Sequence, residues 1–137
     1  MTGALQEKDY EALAEFRYAL RKFLRSSKQY LADTANLTPE QYEALLALKA
    51  FSGNDGLLVG ELSERLQVKH HTAVSLTDKL VARKLVTKQR GRVDRRHVYV
   101  KLTSEGSRLL TTLAATHRDE LRARSSEMVE ALTLLHK

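Results

Sequence analysis

Cysteine is absent from the 137-residue chain, and no apolar stretch approaches the length of a membrane span. Without cysteine the protein has no disulfide, no thiol nucleophile, no cysteine-ligated zinc or iron–sulfur site and no thiol redox sensor. The opening MTGALQEKDYEAL carries acidic residues where a secretion signal has a basic stretch and an apolar run. A membrane-spanning helix needs about 18 or more consecutive apolar residues. We therefore expect a cytoplasmic chain with no membrane partner.

Proline and glycine are scarce, with one Pro and six Gly in the whole chain. Because these residue types interrupt helices, their scarcity favours a mainly helical fold. Hydrophobic residues make up 42% and charged residues 29%, which is typical of a globular protein that buries a core. At roughly 100 to 200 residues per domain, the length allows one domain with an added oligomerisation element.

Motifs of catalysis and metal binding are also missing. The sequence has no HExxH, no Gly-rich phosphate loop and no GxSxG. Among five histidines only His70 and His71 are adjacent, and neighbouring residues on a helix point in different directions. A zinc sensor needs several converging His, Asp or Glu ligands, and His117 has no second histidine one turn away. We predict no catalytic site, no cofactor and no metal site.

What the sequence has in excess is positive charge, concentrated in one segment. The net charge is +6, but residues 65–101 contain 11 basic and only two acidic residues, a local net charge of +9. Residues 1–64 carry −3 and residues 102–137 are neutral. Since an ordinary solvated surface mixes its signs, this segregation indicates a surface that meets a polyanion.

The basic segment has the pattern of a winged helix-turn-helix. Two helices, Gly60–Leu66 and His70–Lys84, are separated by three residues, and Val74, Leu76, Leu80 and Val81 of the second should face a core. Alternating residues then predict strands at Leu85–Gln89 and His97–Leu102, joined by the arginine-rich hairpin loop RGRVDRR, Arg90–Arg96. The predicted fold class is mainly α, with a small β-hairpin wing.

The remaining helices exceed what one winged helix needs. Apolar spacing predicts a helix over Tyr10–Leu31, Thr38 and Pro39 open another that runs to Phe51, and Thr103 caps a long helix that ends near Ala123. A separate short helix should start at Ser125 or Ser126. The outer helices either form a monomeric cap or bury against a second copy, and we expect a homodimer. Its predicted interface residues are Leu13, Phe16, Leu109, Leu113, Leu121, Met128, Leu132 and Leu135.

The chain contains, in this order, the blocks LTPEQYEALLAL, VGELSERL, HTAVSLTDKLVARKLV, the DRR of Asp94–Arg96 and VKLTSEG. Together these blocks resemble the MarR family of bacterial winged-helix transcription regulators. The resemblance implies one MarR-like chain over residues 1–137, with a DNA-binding region at 38–102 and dimerisation helices at 5–35 and 103–137. It further implies a homodimeric repressor that binds a pseudo-palindromic operator in double-stranded DNA and is released by a small aromatic or phenolic effector. Lys84 stands where the family usually has glycine, and the cysteine of its oxidant-sensing branch is missing.

The expected DNA-contacting residues lie on two elements. On the second helix of the pair they are Lys69, His70, His71, Thr72, Ser75 and Lys79, which should approach the major groove. On the wing they are Arg90, Arg92, Asp94, Arg95 and Arg96, whose guanidinium groups suit a narrow minor groove. By family analogy Asp94 holds Arg96 or its neighbour in position; alternatively it only shapes the turn.

Two questions stay open at this level. A winged helix can serve as a protein-interaction module without specific DNA binding, although such a module needs no arginine-tipped wing. Phe23, Tyr30 and Tyr42 either line an effector cleft or belong to the core.

Overall fold

The computed structural model describes residues 3–136, so the predicted domain boundaries at residues 1 and 137 lie outside the described residues. Within that range the elements follow in the order α1 (Glu7–Ala35), α2 (Pro39–Phe51), β1 (Leu57–Leu58), α3 (Val59–Leu66), α4 (His70–Ala82), β2 (Val86–Arg90), β3 (Val98–Leu102) and α5 (Ser104–Leu135). The two long helices, α1 and α5, pack against each other and carry the smaller winged-helix unit at one end. The predicted mainly helical winged-helix fold is confirmed.

Helix α1 is longer at both ends than the apolar spacing predicts. At its start the carboxylate of Asp9 accepts a 2.9 Å hydrogen bond from the backbone N–H of Gln6. At its end Asn36 adopts a left-handed conformation with φ of 50°, and its N–H donates to the carbonyl of Ala32. These polar caps extend the helix beyond the apolar stripe, which is why the prediction of Tyr10–Leu31 was too short.

Helix α2 begins and ends where the sequence predicts. The hydroxyl of Thr38 accepts from the N–H of Gln41 at 3.2 Å, and the Gln41 side chain accepts from the N–H of Thr38 at 2.9 Å. Pro39 occupies the first helical turn, where its missing N–H costs nothing. This reciprocal capping fixes the start of α2 close to the end of α1.

The sheet has three strands in the order β1-β3-β2, all antiparallel, rather than a two-stranded wing alone. Strand β1 pairs Leu57 with Val100 and Leu58 with Tyr99. Its two residues are too few to show an alternating pattern, so sequence periodicity gave no sign of it. By pairing with β3, β1 anchors the base of the wing to the start of α3.

Helix α5 is a single helix of 32 residues, so the predicted break near Ser125 is wrong. Serine disfavours a helix interior by only a few tenths of a kcal/mol, and no Gly or Pro follows Ser104–Ala123 to stop it. An ion pair between Arg124 and Glu120, with Nε and Oε1 at 3.4 Å, supports this stretch. The N-terminal end of α5 is locked against the chain before β2, because a Cβ on Gly106 would lie 2.1 Å from the carbonyl oxygen of Leu85.

The core joins every element of the winged helix to the inner faces of α1 and α5. Its largest fully buried side chains are Leu31, Leu45, Leu48, Leu62, Leu80, Leu113, Val86 and Val100. None of the helices in residues 3–136 combines the length and the hydropathy that crossing a bilayer demands.

Candidate nucleic-acid interface

Helix α4 has one buried and one exposed face. Ala73, Leu76, Thr77 and Leu80 are buried, and Val74 and Val81 pack half-buried against the core. The hydroxyl of Thr77 donates to the carbonyl of Ala73 at 2.7 Å, so this buried polar group, which the apolar pattern missed, is satisfied within the helix. The residues on the opposite side are all exposed: Lys69, His70, His71, Thr72, Ser75 and Lys79.

The end of α4 departs slightly from the predicted boundary. The helix stops at Ala82, Arg83 is its C-cap, and Lys84 takes the left-handed conformation with φ of 62°. A non-glycine residue there is strained, yet the Lys84 carbonyl accepts a 2.7 Å hydrogen bond from the hydroxyl of Thr103. That bond ties the turn to the first residue before α5.

The wing consists of β2, β3 and the connecting loop Gly91–His97. The loop is closed by hydrogen bonds from the N–H of Gly91 to the carbonyl of His97 at 2.9 Å and from the N–H of His97 to the carbonyl of Asp94 at 3.1 Å. Arg92, Arg95 and Arg96 are exposed on this loop, as is Val93 at its tip. Arg90 is not at the tip as predicted, because strand pairing with Val98 extends through it.

Asp94 grips Arg96 at both carboxylate oxygens. Its Oδ1 accepts from the Arg96 backbone N–H at 3.0 Å and from Nε at 3.1 Å, and its Oδ2 accepts from Nη2 at 2.9 Å. The hydrogen bonds from the Arg96 side chain, and then from its backbone, hold the pKa of Asp94 below its usual value. The carboxylate in turn raises the pKa of Arg96. The geometry agrees with a carboxylate that orients the guanidinium of its neighbour.

The second acid of the basic segment is paired as well. Asp78, on the exposed side of α4, forms an ion pair with Lys88 of β2. Both negative charges in residues 65–101 are therefore held by cations of the same segment. The remaining basic side chains dominate the surface formed by α4 and the wing.

A cleft of about 930 Å³ lies away from this surface, between α1, α2 and α5. Its apolar lining comes from Leu20, Phe23, Leu24, Tyr42, Leu46 and Leu121, and its charged rim from Arg17, Arg21, Arg25, Lys28, Glu40 and Glu43. Burial raises the pKa of Tyr42 and, with the neighbouring Glu40, that of Glu43. Phe23 and Tyr42 thus line a cleft, and Tyr42 also belongs to the core.

His117 closes the floor of the cleft. Its side chain is buried, stacks on Tyr42 with ring centroids 4.5 Å apart, and meets the rings of Phe23 and Tyr30 edge-on. Its Nδ1 lies 2.8 Å from the carbonyl oxygen of Leu113, and its Nε2 lies 2.6 Å from the Ser27 hydroxyl. Because a carbonyl can only accept, Nδ1 donates to Leu113, and Nε2 shares a hydrogen bond with the Ser27 hydroxyl.

The predicted dimer-interface residues fall into two groups. Leu13 is 47% exposed and Leu132 is 40% exposed, Leu121 and Leu135 are also exposed, and Phe16 and Met128 are half-buried. Leu113 is completely buried in the core of its own chain, and Leu109 packs half-buried against that core. Assigning Leu113 to an interface was wrong, because the inner face of α5 is already covered by α1 and α2.

Comparisons with known proteins identify the architecture. Residues 35–97, from the end of α1 to the end of the wing loop, match the MarR family. The chain is similar to YsmB, an uncharacterized HTH-type transcriptional regulator of Bacillus subtilis, with 26% identity over 94% of this chain and 86% of the relative.

Two solved structures show the same fold. AbsC, a MarR family transcriptional regulator from Streptomyces coelicolor, superimposes with a TM-score of 0.79 at 20% identity over 98% of this chain and 90% of its own. BpsR of Bordetella bronchiseptica, whose DNA binding is regulated by 6-hydroxynicotinic acid, gives a TM-score of 0.70 at 23% identity over 88% and 86%. The winged-helix region of the chain, residues 35–97, thus matches the MarR family, and nearly the full length shares the fold of a MarR family transcriptional regulator.

Proposed function

We propose that the protein is a transcriptional repressor that binds a pseudo-palindromic operator as a homodimer. Helix α4 enters the major groove through Lys69, His70, His71, Thr72, Ser75 and Lys79, and the wing enters the adjacent minor groove through Arg92, Arg95 and Arg96. Arg90 supports the wing from β2, where its guanidinium lies 3.4 Å from the carbonyl oxygen of Arg95.

The observation that carries the proposal is the joint exposure of these two basic elements on one continuous segment. All of the α4 candidates are exposed, and so are Arg92, Arg95 and Arg96 on the wing loop. Both acids of the segment are neutralised by neighbouring cations, so a phosphate backbone meets little repulsion. Thr72 and Ser75 offer weaker base discrimination than arginine would. Recognition of DNA shape by the wing therefore contributes a larger share of the sequence specificity.

The homodimer is supported by the apolar side chains that α1 and α5 leave uncovered. Leu13 on α1, and Val129, Leu132 and Leu135 on α5, are among the large apolar side chains that these two helices leave exposed. A two-fold pair would bury these side chains and place two copies of α4 about one helical turn of DNA apart, roughly 34 Å.

The cleft beside His117 is the proposed effector site. Its lining joins aromatic rings and leucines to a rim with four basic side chains, a combination that suits a small aromatic or phenolic acid. BpsR, a protein of the same fold, responds to an acid of this chemical type. Since the cleft is built from α1, α2 and α5, a ligand there would act on the helices that support the DNA-binding unit.

Selection of bound duplexes from a random DNA pool tests the proposal. We expect enrichment of an inverted repeat whose half-sites lie about one turn apart, and loss of the enriched complex when a series of aromatic acids is added. A Leu46→Asp variant, which places a charge in the cleft lining outside the predicted dimer interface, should keep DNA binding and lose the response. Failure to enrich any inverted repeat would overturn the assignment.

A further inference from the structure

Arg83 joins the end of α4 to the end of α1. From its position as the C-cap of α4, its guanidinium donates to two backbone carbonyls 47 and 48 residues earlier in the chain. Nη1 lies 2.8 Å from the oxygen of Asn36, and Nη2 lies 2.7 Å from the oxygen of Ala35.

The two carbonyls lie at the C-terminal end of α1, where a helix has no N–H groups of its own left to satisfy its last carbonyls. The last turn of α1 contains no basic residue, and the N–H groups of Asn36 and Leu37 satisfy only the carbonyls of Ala32 and Leu31. A cation near a helix C-terminus is stabilised by the helix dipole, and hydrogen bonds from a charged donor are stronger than neutral ones. Arg83 at the end of α4 therefore supplies the positive charge that the last turn of α1 lacks.

The planar fork of arginine makes this link directional as well as attractive. Two parallel N–H donors must meet two successive carbonyls, so the guanidinium fixes an angle that a single ammonium cannot fix. Among the hydrogen bonds of residues 3–136, those of Arg83 are the ones that tie α1 to the α4 end of the helix-turn-helix. The exposed side of α4 thus has its orientation set in part by α1.

We propose that Arg83 is a positioning residue that holds α4 against the end of α1, so that operator affinity depends on where α1 lies. The inference rests on the proposed DNA binding. It also gives the cleft a route to DNA, because Ser27 on the cleft wall is eight residues before Ala35, about 12 Å along the same helix. Arg83 need not touch DNA for this role.

The test compares Arg83→Gln and Arg83→Lys with Lys84→Gln. The control removes the adjacent charge, and the Lys84 side chain makes no hydrogen bond in the described part of the chain. Each protein is titrated against the enriched operator and a scrambled duplex of equal length over a salt series. Amide hydrogen exchange is measured at Asn36, Leu37 and the last turn of α4.

We expect Arg83→Gln to weaken operator binding about tenfold relative to Lys84→Gln, with equal affinity for the scrambled duplex and an equal salt slope. Arg83→Lys should fail to restore affinity, and both Arg83 variants should speed exchange at Asn36 and in the last turn of α4. Parallel loss on both duplexes with a salt slope reduced by about one would identify a phosphate contact and overturn the inference. A lowered melting temperature with unchanged operator affinity would also overturn it.

The same experiments distinguish a failure of the proposed DNA binding from a failure of the proposed role of Arg83. If the wild-type chain enriches no DNA, the regulator assignment fails and hydrogen exchange alone decides the role of Arg83. Faster exchange at both helix ends in the Arg83 variants then supports the link between α1 and α4, and unchanged exchange overturns it.

Discussion

The hydroxyl of Ser27 on α1 lies 2.6 Å from Nε2 of His117 on α5, and both side chains are buried. This hydrogen bond joins the two long helices at the floor of the cleft, where the face of Tyr42 covers the imidazole. Both nitrogens of the ring are hydrogen-bonded there, because the Leu113 carbonyl accepts from Nδ1.

Replacing Ser27 by Ala should lower the free energy of unfolding by about 1–3 kcal/mol, because Nε2 of His117 would be left buried without a hydrogen-bond partner. Tyr30→Phe is the matched control, since it removes a 3.1 Å hydrogen bond to Thr116 that lies in an exposed position. Urea unfolding of the two variants measures the difference. An equal, small loss in both would mean that water reaches Nε2.

The wing arginines should each contribute one phosphate contact. Arg95→Ala and Arg96→Ala should weaken operator binding and reduce the slope of log affinity against log salt by about 0.9 each. Arg122→Ala, which removes an exposed charge from α5, serves as the control and should leave the slope unchanged. Unchanged slope and affinity in both wing variants would remove the wing from the interface.

Asp94→Asn should weaken operator binding severalfold while leaving the melting temperature unchanged, because the ion pair with Arg96 orients an exposed loop. In the folded wing the pKa of Asp94 is lowered, so the pair persists through neutral and mildly acidic pH and is lost only as pH falls through that lowered value. An NMR titration of the Asp94 carboxyl and the Arg96 Nε–H measures this. Loss of the pair at or above the usual carboxyl pKa would contradict the prediction.

On α1 and α5, different residues should determine dimerisation and the stability of the protomer core. Leu13→Asp and Leu132→Asp place charges on exposed apolar positions and should shift the chain to monomers with little loss of protomer stability. Leu113→Ala instead should cost about 2–5 kcal/mol of unfolding free energy, because its side chain is fully buried within one chain. Analytical ultracentrifugation and urea unfolding distinguish the two effects. A dimer that survives both aspartate substitutions would exclude this face.

Gly106→Ala should destabilise the fold by about 1–3 kcal/mol, because the new Cβ would lie 2.1 Å from the Leu85 carbonyl oxygen. Gly60→Ala in α3 is the control, since nothing lies within 4 Å of a Cβ at that position. Thermal unfolding should show a lower midpoint for the first variant and an equal or higher midpoint for the second. Equal midpoints would show that the start of α5 can move away from Leu85 at no cost.

The sequence predicted those elements whose boundaries are set by local chemistry. Thr38, Pro39 and Gln41 define the start of α2, and the paired helices and the hairpin follow from period and turn length. Features that depend on distant partners were missed: the pairing of Leu57 with Val100, and the burial of Leu113 beneath α1. Periodicity identifies an apolar face, but it does not say whether the same chain or another one covers it.

In the candidate site, too, features set by local sequence were predicted and features that depend on distant residues were missed. Every predicted α4 residue is exposed, because its spacing relative to Leu76 and Leu80 already places it on the outer face. The clamp of Arg83 on Ala35 and Asn36 had no local signal, since it joins residues nearly 50 positions apart. The cleft likewise arises only when α1, α2 and α5 are brought together.

The unbroken course of α5 makes the molecule a lever. At about 1.5 Å per residue, 32 residues form a rod about 48 Å long, fixed at one end to the turn before β2 through Gly106 and Leu85. A tilt of about 5° at that end moves the far end by about 4 Å on such a rod. A break at Ser125 would have absorbed this motion. Because the helix is continuous, a rotation of the winged-helix unit would be carried along α5 into the turns that pack against α1.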